Sequence, residues 1–132
     1  MIRFIARGAP LLGALCALTN PVSAEELTVL TELHRADLTG VADTEVILLN
    51  FVVKPGGKVP LHTHHGDEFY VVVQGTSLTT NDGKIVEVKD GIATSYPRGT
   101  VHGGVTNSGD IDLVLPITHI VDKGKPLITI VE

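Results

Sequence analysis

Six clusters of turn-forming residues cut the chain after Glu25 into runs too short for ordinary helices. They are Pro55-Gly56-Gly57, Asn81-Asp82-Gly83, Asp90-Gly91, Pro97-Arg98-Gly99, Asn107-Ser108-Gly109 and Lys123-Gly124-Lys125-Pro126. Each offers a Gly or Asn that accepts positive φ, or a Pro that interrupts ladder bonding. The runs between them are rich in Val, Ile, Leu and Thr and show no sustained apolar repeat at helical spacing. Strands are therefore expected near residues 27–32, 45–53, 61–64, 68–73, 77–80, 84–88, 92–96, 103–106, 111–121 and 127–131. Ten short strands without helical crossovers predict an all-β fold, a sandwich or closed barrel. Two of them, 45–53 and 68–73, are apolar at both parities, so one face fills the interior and the other needs cover. A homodimer through the outward residues of one of these strands is the expected solution.

Residues 1–24 have a different character. Arg3 and Arg7 give a basic start, Ala9 to Leu18 an apolar stretch, and Val22-Ser23-Ala24 a small-residue cleavage site. A membrane-spanning helix needs about 20 apolar residues; this run is about half that and is bracketed by Pro10 and Pro21. The segment reads as a secretory signal peptide, which leaves residues 25–132 as one domain with no membrane anchor, in the periplasm or secreted. Losing Arg3 and Arg7 leaves 8 of the 10 basic residues against 15 acidic ones, a net charge of −7 that argues against a nucleic-acid partner. The only Cys, Cys16, lies in the signal segment, and Leu15 before it is not the small residue that lipid anchoring requires. Residues 25–132 thus enter an oxidising compartment without disulfides and depend on their apolar core, aided by metal or oligomerisation.

The densest chemistry lies in Pro60-Leu61-His62-Thr63-His64-His65-Gly66-Asp67-Glu68. On an extended strand, residues two apart face the same side, so His62 and His64 aim at one point. Glu68 can return from the next strand, and one further His would complete three imidazole nitrogens and a carboxylate oxygen. Such a set suits Fe, Mn, Ni, Co, Cu or Zn. His65 has the opposite parity and is expected to be solvated or to support a ligand. Tyr70, Val72 and Gln74 share the parity of Glu68 and are candidates to line a cavity, Gln74 being the polar one. His119 lies on the Leu113, Leu115, Ile117 face and is expected to be a hydrogen-bonded core residue. Arg98 is expected to sit exposed in its turn, and His34 on the surface.

Spacing over a longer segment carries a resemblance. Gly56, five residues, His62-Thr63-His64, three residues, Glu68, six residues and Gly75 resemble the first motif of the cupin superfamily at every defining position. Gly91, five residues, Pro97-Arg98-Gly99, two residues and His102 resemble the second motif. The likeness runs over roughly residues 40–121 and is to small single-domain bacterial cupins. It implies a jelly-roll β-barrel with one divalent transition metal held by His62, His64, Glu68 and His102. The second motif usually places an Asn four residues after its His, where this chain has Thr106 and then Asn107. A one-residue slip turns a side chain to the opposite face, so Asn107 takes the family role only if a local bulge restores its parity.

Cupins include dioxygenases, isomerases, decarboxylases, lyases and binders without turnover, so the resemblance does not fix a reaction. Residues 25–132 offer no Cys nucleophile, no Trp platform and no phosphate-cradling glycine loop. The expected function is a metalloenzyme of the dioxygenase kind acting on a small oxygen-rich organic molecule, with Glu68 also serving as a base. The alternatives are a metal-dependent isomerase or decarboxylase, or a module that binds a small ligand or metal.

Overall fold

The computed structural model describes residues 26–132, so the signal segment expected at 1–24 lies outside the described residues. Within them, every regular element is a strand: β1 (Thr28–Asp37), β2 (Thr44–Val53), β3 (Lys58–Val59), β4 (His62–Thr63), β5 (Gly66–Val71), β6 (Ser77–Thr80), β7 (Ile85–Glu87), β8 (Ala93–Tyr96), β9 (Val105–Asn107), β10 (Leu113–Asp122) and β11 (Thr129–Ile130). They form a five-stranded sheet in the order β1-β2-β10-β5-β8, a four-stranded sheet β3-β9-β6-β7 and the pair β11-β4. All pairings are antiparallel. This is the expected jelly roll, built as facing sheets rather than as one continuous hydrogen-bonded cylinder.

Parity decides which residues fill the space between the sheets. On β2, Ile47, Leu49 and Val53 are buried, whereas Leu48 between them is 38% exposed. On β10, Leu113, Ile117, His119 and Val121 face inward. One core cluster joins Ile47, Leu49, Ile117 and Val121. A second brings Val53, Val72 and Leu113 against Leu78 of the other sheet. Each such side chain contributes about 1.5–3 kcal/mol of burial, so these two clusters fix the sheets that carry the polar site. The other face of the five-stranded sheet stays apolar and exposed, at Leu48, Phe69 and Val71, with Val73 just past the end of β5.

Two close approaches set the register near the site. Any Cβ at Gly66 would collide with the Ile120 carbonyl, so only glycine lets β5 start this close to β10. From there the pairing Gly66↔Val121 continues to Glu68↔His119. The second is Gly103-Gly104, both at positive φ. This left-handed pair resets side-chain parity after His102, so Asn107 points inward despite its displaced position. Asn107 is 1% exposed. Its amide donates to the Val53 and Ile111 carbonyls at 2.7 and 2.9 Å and its oxygen accepts from the Gly109 amide at 3.0 Å. It therefore ties β9 to β2 and to the turn before β10, without touching the His cluster.

β1 is longer than the expected 27–32. It runs on to Asp37 through a bulge at Leu33, where the register with β2 shifts between Glu32 and His34. Its second half carries Arg35, which forms ion pairs with Glu32 and Glu45. His34 is exposed as expected. Arg98 is also where expected, in its turn, where it holds Asp122 in a two-pronged ion pair at 2.7 and 2.8 Å.

Candidate metal centre

The four expected ligands converge. One ligand atom from each of His62, His64, Glu68 and His102 lies within 4.8 Å of every other, and three of the four residues are buried. Pairing explains the convergence. His62 and His102 form a cross-strand bridge, with backbone bonds of 2.9 Å from His62 to the His102 carbonyl and 3.0 Å in return. β11 pairs with β4 at Ile130↔His62, and the Leu127 carbonyl just before β11 accepts from His64 Nδ1 at 2.7 Å. The C-terminal segment thus clamps the His62-Thr63-His64 stretch from outside.

The histidines share one proton arrangement. His62 Nδ1 donates to the Pro60 carbonyl at 2.7 Å, and His102 Nδ1 to the Thr100 carbonyl at 2.8 Å, as His64 does to Leu127. A carbonyl only accepts, so each ring keeps its proton on Nδ1 and presents a bare Nε2 inward. The Nε2 atoms of His64 and His102 are 3.2 Å apart. Glu68 Oε2 lies 2.8 Å from the first and 3.6 Å from the second. Lone pairs packed this closely repel one another unless a cation shares them, and the donor set of imidazoles plus carboxylate fits a divalent transition metal. Without metal, a proton serves. Burial lowers His102, but the Glu68 carboxylate 3.6 Å away and the hydrogen bond to Thr100 outweigh this and raise it above the ordinary histidine value.

Glu68 is ionised at neutral pH. Burial by itself would raise its carboxyl, yet the side chains of His102 and His64 beside it, which share a proton with it when no metal is bound, bring it down to about 2. His62 is held below its ordinary value, chiefly by burial.

His119 is expected from the sequence to be a hydrogen-bonded core residue. It is buried, but at the site: its Nε2 is 3.5 Å from Glu68 Oε2 and its ring lies 4.3 Å from that of His64. Its Nδ1 has no hydrogen-bond partner among the described residues. Burial, then repulsion from His64, pushes it down to about 4. Tyr96 was not singled out in the sequence. It stacks on the His102 ring at 4.0 Å and 15°. His119, Glu68 and Tyr96 occupy one cross-strand row, since Glu68 pairs with His119 on one side and with Tyr96 on the other. Tyr70, one inward position further, lies 5.9 Å from Tyr96 between ring centres. Of the remaining candidates, Val72 is core, at 1% exposure. Gln74 is exposed and donates to the Asp112 carbonyl away from the cavity. The His65 ring lies 3.5 Å from the Thr129 hydroxyl, and its carbonyl accepts from the Asp122 amide at 3.0 Å, so it stays outside the cluster.

These pKa directions predict acid sensitivity of the metal-free protein. A histidine held neutral by burial excludes a proton that the unfolded chain binds, so its stabilisation is complete above 6.5 and is lost as pH falls to about 4. The displacement corresponds to about 3 kcal/mol. Glu68 adds a second loss between its ordinary 4.5 and about 2. His119 should cost chelator-treated protein about that first amount between pH 7 and pH 4, offset in part by His102, whose raised value gains stability on protonation, and urea unfolding of His119→Asn at the two pH values should lack the His119 part. An unchanged pH difference in His119→Asn would contradict this account.

The cluster opens into a cavity of about 450 Å3 between the sheets. Its walls beyond the cluster are Leu30, Phe51, Val59, Leu78, Val88 and further aliphatic residues. Residues 49–121, which span both motifs, match the cupin domain family. The chain is a cupin. Two curated relatives are auxin-binding proteins of Prunus persica, ABP19a and ABP19b. The first is 31% identical over 104 residues, which cover 74% of this chain and 48% of the relative. The second is 35% identical over 86 residues, covering 61% and 41%. The cupin thus spans about half the length of the curated relatives it matches. Among solved structures, the polyketide cyclase RemF from Streptomyces resistomycificus is 27% identical with a TM-score of 0.59, covering 81% of this chain and 72% of that one. An oxalate oxidase, 22% identical with a TM-score of 0.55 over 83% and 57%, shares the fold.

Proposed function

We propose that this cupin holds one divalent transition metal, Fe, Mn, Ni, Co, Cu or Zn, on His62, His64, Glu68 and His102, and is a dioxygenase-like metalloenzyme for a small oxygen-rich organic molecule. The observation that carries the reading is the set of three bare Nε2 atoms turned on one ionised carboxylate, each fixed from behind by a backbone carbonyl. A metal held there by His62, His64, Glu68 and His102 would supply Lewis-acid polarisation of a ligand oxygen, and a redox-active one, which excludes Zn, would also supply electrons to O2. Three neutral imidazoles and one carboxylate leave a net charge near +1, which favours an anionic oxygen donor. Glu68 accepts the proton of the ligand's hydroxyl or enol, His119 holds the Glu68 carboxylate from the inner side, and Tyr96 keeps the His102 ring in place. The aliphatic walls exclude water from the reacting end.

The oxygen-free assay tests the reaction type. Metal-loaded protein should convert substrate in air and lose turnover without O2 while keeping ligand affinity. Unchanged product formation under nitrogen would replace this reading with an isomerase or decarboxylase. The binding function in the names of the two Prunus persica relatives favours a second reading, capture of a ligand without turnover, which predicts no product in either atmosphere.

The reading includes export through residues 1–24 and a homodimer. Leu48, Phe69 and Val71 support the dimer, because an exposed apolar sheet face of this kind is commonly covered in an assembly. Light scattering at micromolar concentration should give twice the chain mass; a monomer would count against it.

A further inference from the structure

The support behind one of the four proposed ligands comes from a part of the chain that can leave. We propose that residues 127–131 form a strap whose docking and metal binding at His64 depend on each other, with the Leu127 carbonyl as the positioning group. This rests on the metal reading above and adds a conformational step to it.

The strap is held by little. Its base is fixed, since the Asp122 and Lys123 amides donate to the His65 and Asp43 carbonyls at 3.0 and 2.9 Å. Past Gly124, at φ +72°, the chain pairs with β4 through Thr129↔Thr63 and Ile130↔His62, and the Val131 amide donates to the Leu61 carbonyl at 2.9 Å. Ile128, Thr129 and Ile130 are exposed, while Leu127 packs against the core cluster of Ile47, Leu49, Ile117 and Val121. A segment with so few buried contacts and a solvent-facing backbone opens at the low end of local stability.

His64 differs from the other two imidazoles in where its support originates. His62 and His102 donate to the carbonyls of Pro60 and Thr100, each two residues before its own ring, so their proton arrangement is local. His64 donates to Leu127, 63 residues away. Its ring faces two acceptors, the Leu127 carbonyl 2.7 Å from Nδ1 and Glu68 Oε2 2.8 Å from Nε2. A neutral imidazole has one proton for both. With the strap docked, the proton lies on Nδ1 and leaves Nε2 bare for a metal. With the strap released, Nδ1 loses its acceptor and Glu68 draws the proton to Nε2, where it blocks the ligand position. A metal on Nε2 therefore favours the docked strap, and the docked strap favours metal by the same factor.

Amide hydrogen exchange of the full chain, followed by NMR with and without zinc, reads strap opening directly and needs no variant. Zinc should slow the Val131 amide at least about 10-fold, the lower end of what support of a metal-bound His contributes. It should leave the Gly83 amide, in the turn between β6 and β7, unchanged. The reciprocal arm uses Leu127→Ala, which removes packing but keeps the carbonyl, and Val131→Pro, which removes the N–H that bonds Leu61. Both keep all four proposed ligands. By calorimetry each should bind zinc severalfold more weakly, up to the factor by which zinc slows the Val131 amide, with circular dichroism confirming the sheets. Leu127→Met, which conserves volume, should restore affinity. A strap that only adds stability would leave zinc affinity untouched. If zinc binds but the Val131 amide exchanges at one rate with and without it, the coupling is overturned and the metal reading stands. The same holds if Leu127→Ala speeds that exchange yet keeps wild-type zinc affinity. Failure of zinc itself to bind would remove the metal reading on which the strap depends.

Discussion

Replacing His64 by alanine is expected to lower metal affinity by more than about 100-fold, because even residues that only support a ligand change affinity by 10- to 100-fold and His64 is a proposed ligand itself. Its Nε2 is 2.8 Å from Glu68 and 3.2 Å from His102, which makes it the most central of the three imidazoles. The change should leave the sheets intact, since the core clusters on Ile47, Leu49, Ile117 and Val121 and on Val53, Val72, Leu78 and Leu113 do not include it. Metal titration followed by calorimetry checks the affinity, and circular dichroism the fold. Wild-type affinity in a folded His64→Ala protein would show that the metal, if bound, sits elsewhere.

The second large effect is expected at Glu68. Glu68→Gln keeps the shape of the side chain but supplies a poor metal ligand and no proton acceptor. Under the proposed reaction, turnover should fall by about 100- to 10,000-fold, the range for loss of a positioned general base. Substrate affinity should fall much less. The interactions of Glu68 with His64 and His102 favour its charged form, so a neutral amide there would also weaken the hold on a shared metal or proton. Equal losses in turnover and in affinity would make Glu68 a ligand alone. Full activity would remove it from both roles.

The strand-and-turn pattern was legible because each turn is marked by Gly, Asn or Pro, and the four ligands because their spacings fall within two short segments. His119 and Tyr96 were not, for a physical reason. They reach Glu68 through the register of β10 and β8 against β5, and register depends on where strands begin to pair. Gly66 sets that start by its close approach to Ile120, which a sequence shows only as one more glycine. The second half of β1 was hidden by His34, Arg35 and Asp37, whose polarity suggests a loop. They face water along a sheet edge instead, a common way to protect an exposed strand. The role of Asn107 depended on Gly103-Gly104, since two consecutive left-handed residues absorb the one-residue slip. The clamp from Leu127 onto His64 uses a backbone carbonyl, and any residue type carries that group.

The most direct test of the account is metal content and affinity of purified protein stripped with chelator and titrated separately with Mn, Fe, Ni, Co, Cu and Zn. The account predicts one equivalent per chain for at least one of these ions, with occupancy lost in His62→Ala, His64→Ala and His102→Ala. Protein that stays metal-free with every ion, or that binds equally well after all three substitutions, would contradict it.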